Sequence, residues 1–300
     1  MSKNLQLALI LVVVVVLGTV VYLQTRSERE DVVIPPVEVP AEAVVTAPTS
    51  TVSVIGTSVE GRSIEAYTFG TGEHKLLFVG GIHGGYEWNS VVLAYDFIDY
   101  FHENPGLIPE TVTVAIIPNL NPDAVYDIVG KEGRFGAAEV VATDTELAAA
   151  RFNRNNVDLN RNFDCKWAPE SSWRGQTVSA GTGAFSEPEA IALRDFVTSF
   201  GPSAAIFWHS QANTVYASEC ENGILPQTLT LMETYAGAAS YRTQASFDAY
   251  AITGDAEGWL ASIGIPAITV ELETRTATDW NRNVRGVTAL LNHYSSGLAR

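Results

Sequence analysis

After residue 50 the apolar positions of this chain fall into two patterns that alternate. Short unbroken runs rich in β-branched residues, Lys75 to Val79, Thr111 to Ile117, Ala204 to Trp208 and Ala267 to Leu272, predict strands. Their lack of apolar–polar alternation implies cover on both faces, as in a central sheet. Between them, apolar residues recur at helical spacing over Glu87 to Phe101, Glu187 to Phe200, Gln227 to Ala238 and Asn283 to Leu298, which predicts helices. Strands alternating with helices imply an α/β layered sheet. Ligand sites in such folds gather at the carboxyl ends of strands, and His83, His209 and Glu271 each fall at or just past such an end.

The first fifty residues follow neither pattern. From Leu5 to Leu23 no residue is charged, and the run is long enough for a helix crossing a bilayer's hydrocarbon core. Only Gly18 and Val20 hint at a cleavage site, so residues 1–30 are expected to be an uncleaved membrane anchor; cleavage would leave a secreted protein. Residues 31–50, with Pro35, Pro36, Pro40 and Pro48, read as an extended stalk without a core of its own. No internal repeat follows, and residues 51–300 parse as one catalytic domain.

Charge narrows the partners. With 18 Lys and Arg against 34 Asp and Glu, the formal net charge is −16, which leaves no general basic surface for phosphates and argues against nucleic-acid binding. Two cysteines, Cys165 and Cys220, are too few for a disulfide-built scaffold. They are enough for one bridge in an oxidising compartment, with two buried free thiols as the alternative. Together with the stalk they favour an extracytoplasmic domain.

A catalytic zinc site commonly takes two histidines and one carboxylate and keeps a position open. Of the five histidines, His74 lies in a polar turn, His102 follows a helix and His293 is within the C-terminal helix, which leaves His83 and His209. His83 stands in GGIHGGYEWN, where glycines let the backbone turn tightly and present His83 and Glu87 from a loop entering a helix. A loop histidine with a helix-capping glutamate is the plain structural reading of that pair. The polar stretch RFNRNNVDLNRNFD, Arg151 to Asp164, has no packing rationale.

Together with the His83 loop, FSEPEA (Phe185 to Ala190), FWHS (Phe207 to Ser210), YAITGDAEGW (Tyr250 to Trp259) and VELET (Val270 to Thr274), that stretch resembles the M14 zinc metallocarboxypeptidases over residues 51–300. The resemblance implies a mixed central β-sheet flanked by helices. It further implies one Zn2+ per chain, held by His83, Glu87 and His209, with Glu271 as the general base that activates water. Arg151, rather than Arg154, corresponds to the arginine that steadies the developing oxyanion. Asn160 and Arg161 match the pair that grips the substrate's terminal carboxylate, and Tyr250 matches the tyrosine that closes over it. Glu257 aligns with the base of the side-chain pocket, with Asp255 as the other acidic candidate; an acidic pocket would favour lysine, arginine or a diamino acid.

Two features depart from that pattern or lie beyond it. The family usually places two residues between the first histidine and its glutamate, whereas Gly84, Gly85 and Tyr86 intervene here. Cys165 and Cys220 flank two of the motif segments, so a bridge would tie two active-site loops together. The expected activity is release of a C-terminal residue from extracytoplasmic peptides. Trimming of peptidoglycan stem peptides, deacylation of N-acyl amino acids and a metal-free peptide-binding module are the alternatives.

Overall fold

The structure is a computed structural model that describes residues 14–22 and 50–297. The chain divides into two units, Met1–Val45 and Thr46–Arg300. In the first, residues 14–22 are helical with exposed side chains. Among the described residues no helix is long and apolar enough to cross a membrane. The remainder of the anchor expected over Leu5 to Leu23 lies outside the described residues, as does the stalk up to residue 49.

The second unit runs β1 (Thr51–Thr57), β2 (Ser63–Phe69), β3 (His74–Val79), α1 (Trp88–Glu103), β4 (Val112–Ile117), α2 (Pro122–Val129), α3 (Asp144–Ala149), β5 (Glu170–Trp173) and β6 (Gln176–Ser179). It continues with α4 (Pro188–Phe200), β7 (Ala204–Ser210), β8 (Thr214–Ala217), β9 (Glu219–Cys220), β10 (Gly223–Ile224), α5 (Pro226–Ala239), β11 (Arg242–Gln244), α6 (Ala256–Ser262), β12 (Ala267–Leu272) and α7 (Trp280–Ser295). Eight strands form one sheet in the order β1-β2-β4-β3-β7-β12-β8-β11. The inner pairs β4–β3, β3–β7 and β7–β12 are parallel. The pairs β1–β2, β2–β4 and β12–β8 are antiparallel, which makes the sheet mixed.

The four apolar runs become β3, β4, β7 and β12, the inner strands, and their alternate residues feed two separate cores. Leu76, Phe78, Ile206 and Trp208 pack on the face covered by α1, α5 and α7. Leu77, Val79, Ala205 and Phe207 pack on the opposite face with α4 and α6. This two-sided burial is why those strands read as continuous apolar runs. On the first face Trp208 is stacked between Phe78 and Phe97, with ring centroids 5.3 and 5.2 Å away, and it fixes the strand immediately before His209.

Glu87 closes a 3-10 turn over Gly84–Glu87 and, with φ −122° and ψ 42°, is the N-cap residue of α1, which agrees with a helix expected from about Glu87. Several other sequence expectations need correction. His74 begins β3 rather than occupying a turn. His102 lies inside the last turn of α1, with Nε2 2.8 Å from Ser50 Oγ. Helix α7 spans Trp280–Ser295, starting and stopping earlier than its apolar spacing predicts.

Candidate metal centre

Strand β3 ends at Val79, and the chain turns through Gly81 (φ +67°) before His83. Gly84 (φ +47°) and Gly85 then press on neighbouring backbone. A Cβ on Gly84 would come within 2.6 Å of Ala124 Cβ, and one on Gly85 within 2.7 Å of Ala124 O. The tight turn that results absorbs the extra residue between His83 and Glu87. Glu87 reaches back so that its Oε1 lies 2.9 Å from His83 Nδ1.

The second histidine arrives on a strand. His209 is the next-to-last residue of β7, and its Nδ1 lies 3.0 Å from Glu87 Oε2 and 3.2 Å from His83 Nδ1. Two imidazole nitrogens and one carboxylate thus converge on one point, and all three side chains are buried. Ligands about 2.0–2.1 Å from a tetrahedral metal stand roughly 3.3 Å from one another, which the observed separations approach. Electrostatics agree. Burial alone would push the His209 imidazole down, yet the Glu87 and Glu257 carboxylates hold it well above its ordinary value. A site that raises the affinity of a buried group for positive charge suits a cation. The donor set of two histidines and one carboxylate, with no thiolate, is that of a catalytic zinc.

Each imidazole has a carboxylate behind it, close enough for charge pairing though without a hydrogen bond to either Nε2. His83 Nε2 faces Asp158 Oδ1 at 3.5 Å, and His209 Nε2 faces Glu257 Oε1 at 3.2 Å. Carboxylates in this position raise the basicity of the ring as a ligand. Asp158 is fully buried. Burial works against its charge, but Arg151 and Arg161 hold its carboxyl well below the usual range. Its Oδ2 accepts from Arg151 Nε and lies beside Nη2, both at 2.9 Å. Asp158 escaped sequence reasoning because one acidic residue among the Asn, Asp and Arg of this stretch carries no mark of its direction.

Arg151 is therefore anchored on Asp158, with its guanidinium 4.7 Å from the Trp173 ring centroid and Nη1 3.8 Å from Glu87 Oε1. Arg154, the competing arginine, turns outward and pairs with Glu60 and Asp127. Asn160 and Arg161 lie in a 3-10 turn that is held to the start of α6 by Asn160 Oδ1, which accepts from Ala256 N at 2.8 Å. Gly254 (φ +69°) permits this closeness, since a Cβ there would meet Arg161 O at 2.2 Å. The same contact brings the 250–259 segment to the cavity. Tyr250 packs edge-on against Phe247, centroids 4.8 Å apart, and is half-buried.

Glu271 stands inside β12, paired in register with His209 on β7. Burial pushes its carboxyl up to about 7, with the Glu87 charge adding to the effect. Its Oε2 is a buried oxygen without a hydrogen-bond partner. Glu257, in the first turn of α6, is buried and accepts from Thr269 Oγ1 at 2.8 Å. Asp255 caps α6 by accepting from Gly258 N at 2.7 Å. Burial, with Glu257's charge next, pushes Asp255 up to about 6.

One cavity of about 700 Å³ holds His83, Glu87, His209, Glu271, Arg151, Asn160, Arg161, Tyr250, Asp255 and Glu257. Cys165 and Cys220 form a disulfide with Cα atoms 6.0 Å apart, and Cys165 lines the same cavity. The bridge joins the arginine loop to the segment that follows β8.

A family model described as zinc carboxypeptidase matches residues 42–289. Gamma-D-glutamyl-L-diamino acid endopeptidase 1 of Lysinibacillus sphaericus is 25% identical over 242 residues, covering 74% of this chain and 60% of that protein. Carboxypeptidase Z of Homo sapiens is 30% identical over 122 residues, 36% of this chain and 17% of that protein. The chain therefore spans less than two thirds of these relatives' length. Among solved structures, bovine thrombin-activatable fibrinolysis inhibitor in complex with tick carboxypeptidase inhibitor shares the fold at a TM-score of 0.65 and 20% identity, with 83% of this chain and 91% of that chain covered. Murein-tripeptide amidase from Escherichia coli O157 does so at a TM-score of 0.54 and 21% identity, covering 83% and 92%.

Proposed function

This chain belongs to the zinc carboxypeptidase family of peptide hydrolases, and on that premise we propose that it removes a residue from the free C-terminus of extracytoplasmic peptides, preferring a cationic or diamino-acid side chain. One observation carries the reading. The cluster of His83, Glu87 and His209 shares a single cavity with a carboxyl raised by burial, Glu271, and with the guanidinium of Arg161.

Zinc held by His83, Glu87 and His209 supplies Lewis-acid polarisation and lowers the pKa of water. Glu271 takes a proton from the attacking water as its oxygen bonds to the peptide carbon. It returns that proton to the amine nitrogen as the C–N bond breaks. Arg151, locked on Asp158, stabilises the negative charge that develops on the carbonyl oxygen. Asn160 and Arg161 bind the terminal carboxylate, and Tyr250 closes over it. Asp255 and Glu257 face the departing residue's side chain, where two carboxylates favour a cation over an apolar group.

A second reading, peptidoglycan stem peptides as substrate, is favoured by one relative being a γ-D-glutamyl-L-diamino acid endopeptidase and by a similarly folded murein-tripeptide amidase. A diamino acid would place an amine against the same acidic pair. Residues 1–30 would anchor the enzyme in the membrane, 31–50 would space it, and 51–300 would form the catalytic domain outside. The test is elemental analysis of the purified chain, with release of C-terminal Lys, Arg, Phe, Glu and diaminopimelate from blocked peptides beside a Glu271→Gln control. One zinc and control-sensitive release of Lys, Arg or diaminopimelate supports the reading. Release of Phe alone removes the acidic-pocket assignment, zinc without release of any points to acyl amino acids, and no stoichiometric zinc leaves a peptide-binding module.

A further inference from the structure

Most arginines of this acidic protein are matched within the chain. Arg62, Arg134, Arg151, Arg154, Arg194 and Arg282 each lie beside a carboxylate. Arg242 and Arg285 donate to backbone carbonyls. Arg161 too donates to backbone carbonyls, those of Asn160 and Ser172, which among the described residues leaves Arg174 and Arg275; all three line the catalytic cavity. Arg161 has its task in the reading above. Arg174 and Arg275 have none.

These two guanidiniums are held at one aromatic ring. Arg275, in the loop after β12, stacks with its guanidinium carbon 4.4 Å from the Tyr86 centroid, and its Nε is buried without a partner. Arg174, at the turn of the β5–β6 hairpin, reaches Tyr86 Oη with Nη1 at 3.5 Å. Tyr86 immediately precedes the ligand Glu87 and meets Trp173 edge to face, centroids 5.1 Å apart. Trp173 in turn carries Arg151. A continuous wall therefore runs from Arg151 to Arg174 and Arg275. Asn160 is tied to α6 through Ala256 N, and Arg161 beside it reaches Ser172 O of β5 with Nη2 at 3.5 Å. A peptide with its terminal carboxylate at Arg161 and its scissile carbonyl at Arg151 would place its acyl-side residue, the one N-terminal to the broken bond, beyond Arg151, where Trp173 and Tyr86 line the cavity.

We propose that Arg174 and Arg275 form a second anion subsite, which binds a carboxylate on the acyl-side residue of the substrate. The proposal rests on the peptidase reading and narrows it to peptides with an acidic penultimate residue. A planar guanidinium stacked on an aromatic ring is preorganised for bidentate carboxylate binding. The carboxylate has two sources, the side chain of an α-linked acidic residue and the free α-carboxylate of a γ-linked one.

The test uses full-length zinc-loaded protein and blocked peptides ending in lysine, with α-linked Glu, γ-linked Glu or Gln as the acyl-side residue. The expected kcat/KM for at least one glutamyl peptide exceeds that of the Gln peptide by about tenfold or more, the usual scale for a hydrogen bond to a charged group. Whichever linkage wins identifies the source. The ratio is expected to fall to about one in R174Q/R275Q and to persist in R285Q, which lies outside the cavity. Equal rates for Glu and Gln peptides in the unaltered protein would overturn the subsite and leave the peptidase reading intact, as would a ratio surviving R174Q/R275Q. If no peptide is cleaved, the peptidase reading falls instead. Calorimetric binding of the same peptides then decides the subsite: tighter glutamyl binding abolished by R174Q/R275Q upholds it, and equal affinity overturns it.

Discussion

Glu271 lies directly opposite His209 in the parallel pairing of β12 with β7. Adjacent strands stand about 4.8 Å apart, so the proposed general base and one candidate metal ligand are set side by side by sheet hydrogen bonds rather than by a loop. The Trp208 stack beneath β7 makes that pairing rigid. Such a framework separates geometry from chemistry, and substitutions can therefore be read one role at a time.

Replacing Glu271 by glutamine keeps its shape and removes its proton transfer. A general base contributes roughly 100- to 10,000-fold, so kcat of Glu271→Gln is expected to fall by that range while one zinc remains bound. Steady-state kinetics beside metal analysis check this. A loss below tenfold would remove Glu271 from the base role.

Asp158 lies beside both His83 and Arg151. Asp158→Asn keeps the size but loses the charge facing His83 Nε2 and the ion pair with Arg151. Zinc affinity is expected to weaken by about 10- to 100-fold, measured by competition with a chelator, and kcat to fall as well. Unchanged zinc affinity with a lower kcat would show that Asp158 acts through Arg151 alone.

Gly84 is the residue that makes the wide His83–Glu87 spacing workable. Gly84→Ala introduces a Cβ at φ +47° and 2.6 Å from Ala124 Cβ. The left-handed backbone costs an L residue about 1–2 kcal/mol, and overpacking costs about 1–3 kcal/mol. Urea midpoints are expected to show a loss of about 2–5 kcal/mol. Gly136→Ala, at φ −117° with open space around its Cβ, is expected to stay within about 0.5 kcal/mol of the parent.

These residues differ in how legible they were from sequence. His83, His209 and Glu271 stand out because a polar group at the end of a buried apolar run is costly unless it has a task. Glu257 was visible as an acidic residue near the pocket, but its approach to His209 depends on how α6 docks against β12, which no local pattern records. Asp158 was hidden among similar polar neighbours. Strands β1 and β2 escaped because β1 is largely exposed and β2 only partly buried, without the apolar density of the inner strands. Two cysteines permit a bridge, whereas the pairing of Cys165 with Cys220 requires the fold to bring their loops within 6.0 Å. Arg174 and Arg275 look like ordinary surface cations until every other arginine has been given its partner.

With Asp255 in the proposed side-chain pocket, the side-chain preference is expected to depend on pH. Its carboxyl titrates at about 6, raised by burial and by Glu257, whereas Glu257 is lowered, because His209 outweighs the cost of burying its charge. Below pH 6 the pocket therefore carries one carboxylate, and above it two. The ratio of kcat/KM for C-terminal lysine to that for C-terminal methionine is expected to rise as pH passes through about 6, and to stay level in Asp255→Asn. Taking the ratio cancels Glu271, which acts on both substrates alike. Stability moves in the opposite sense. A carboxyl that is easier to protonate when folded than when unfolded favours folding below its unfolded pKa, and that advantage is lost as pH rises through the folded value. Asp255→Asn is therefore expected to gain thermal stability relative to the parent at pH 7 and not at pH 4. A lysine preference that does not change between pH 5 and 8, together with parallel melting curves, would place Asp255 in the helix cap alone and leave Glu257 as the only acidic residue that reads the substrate.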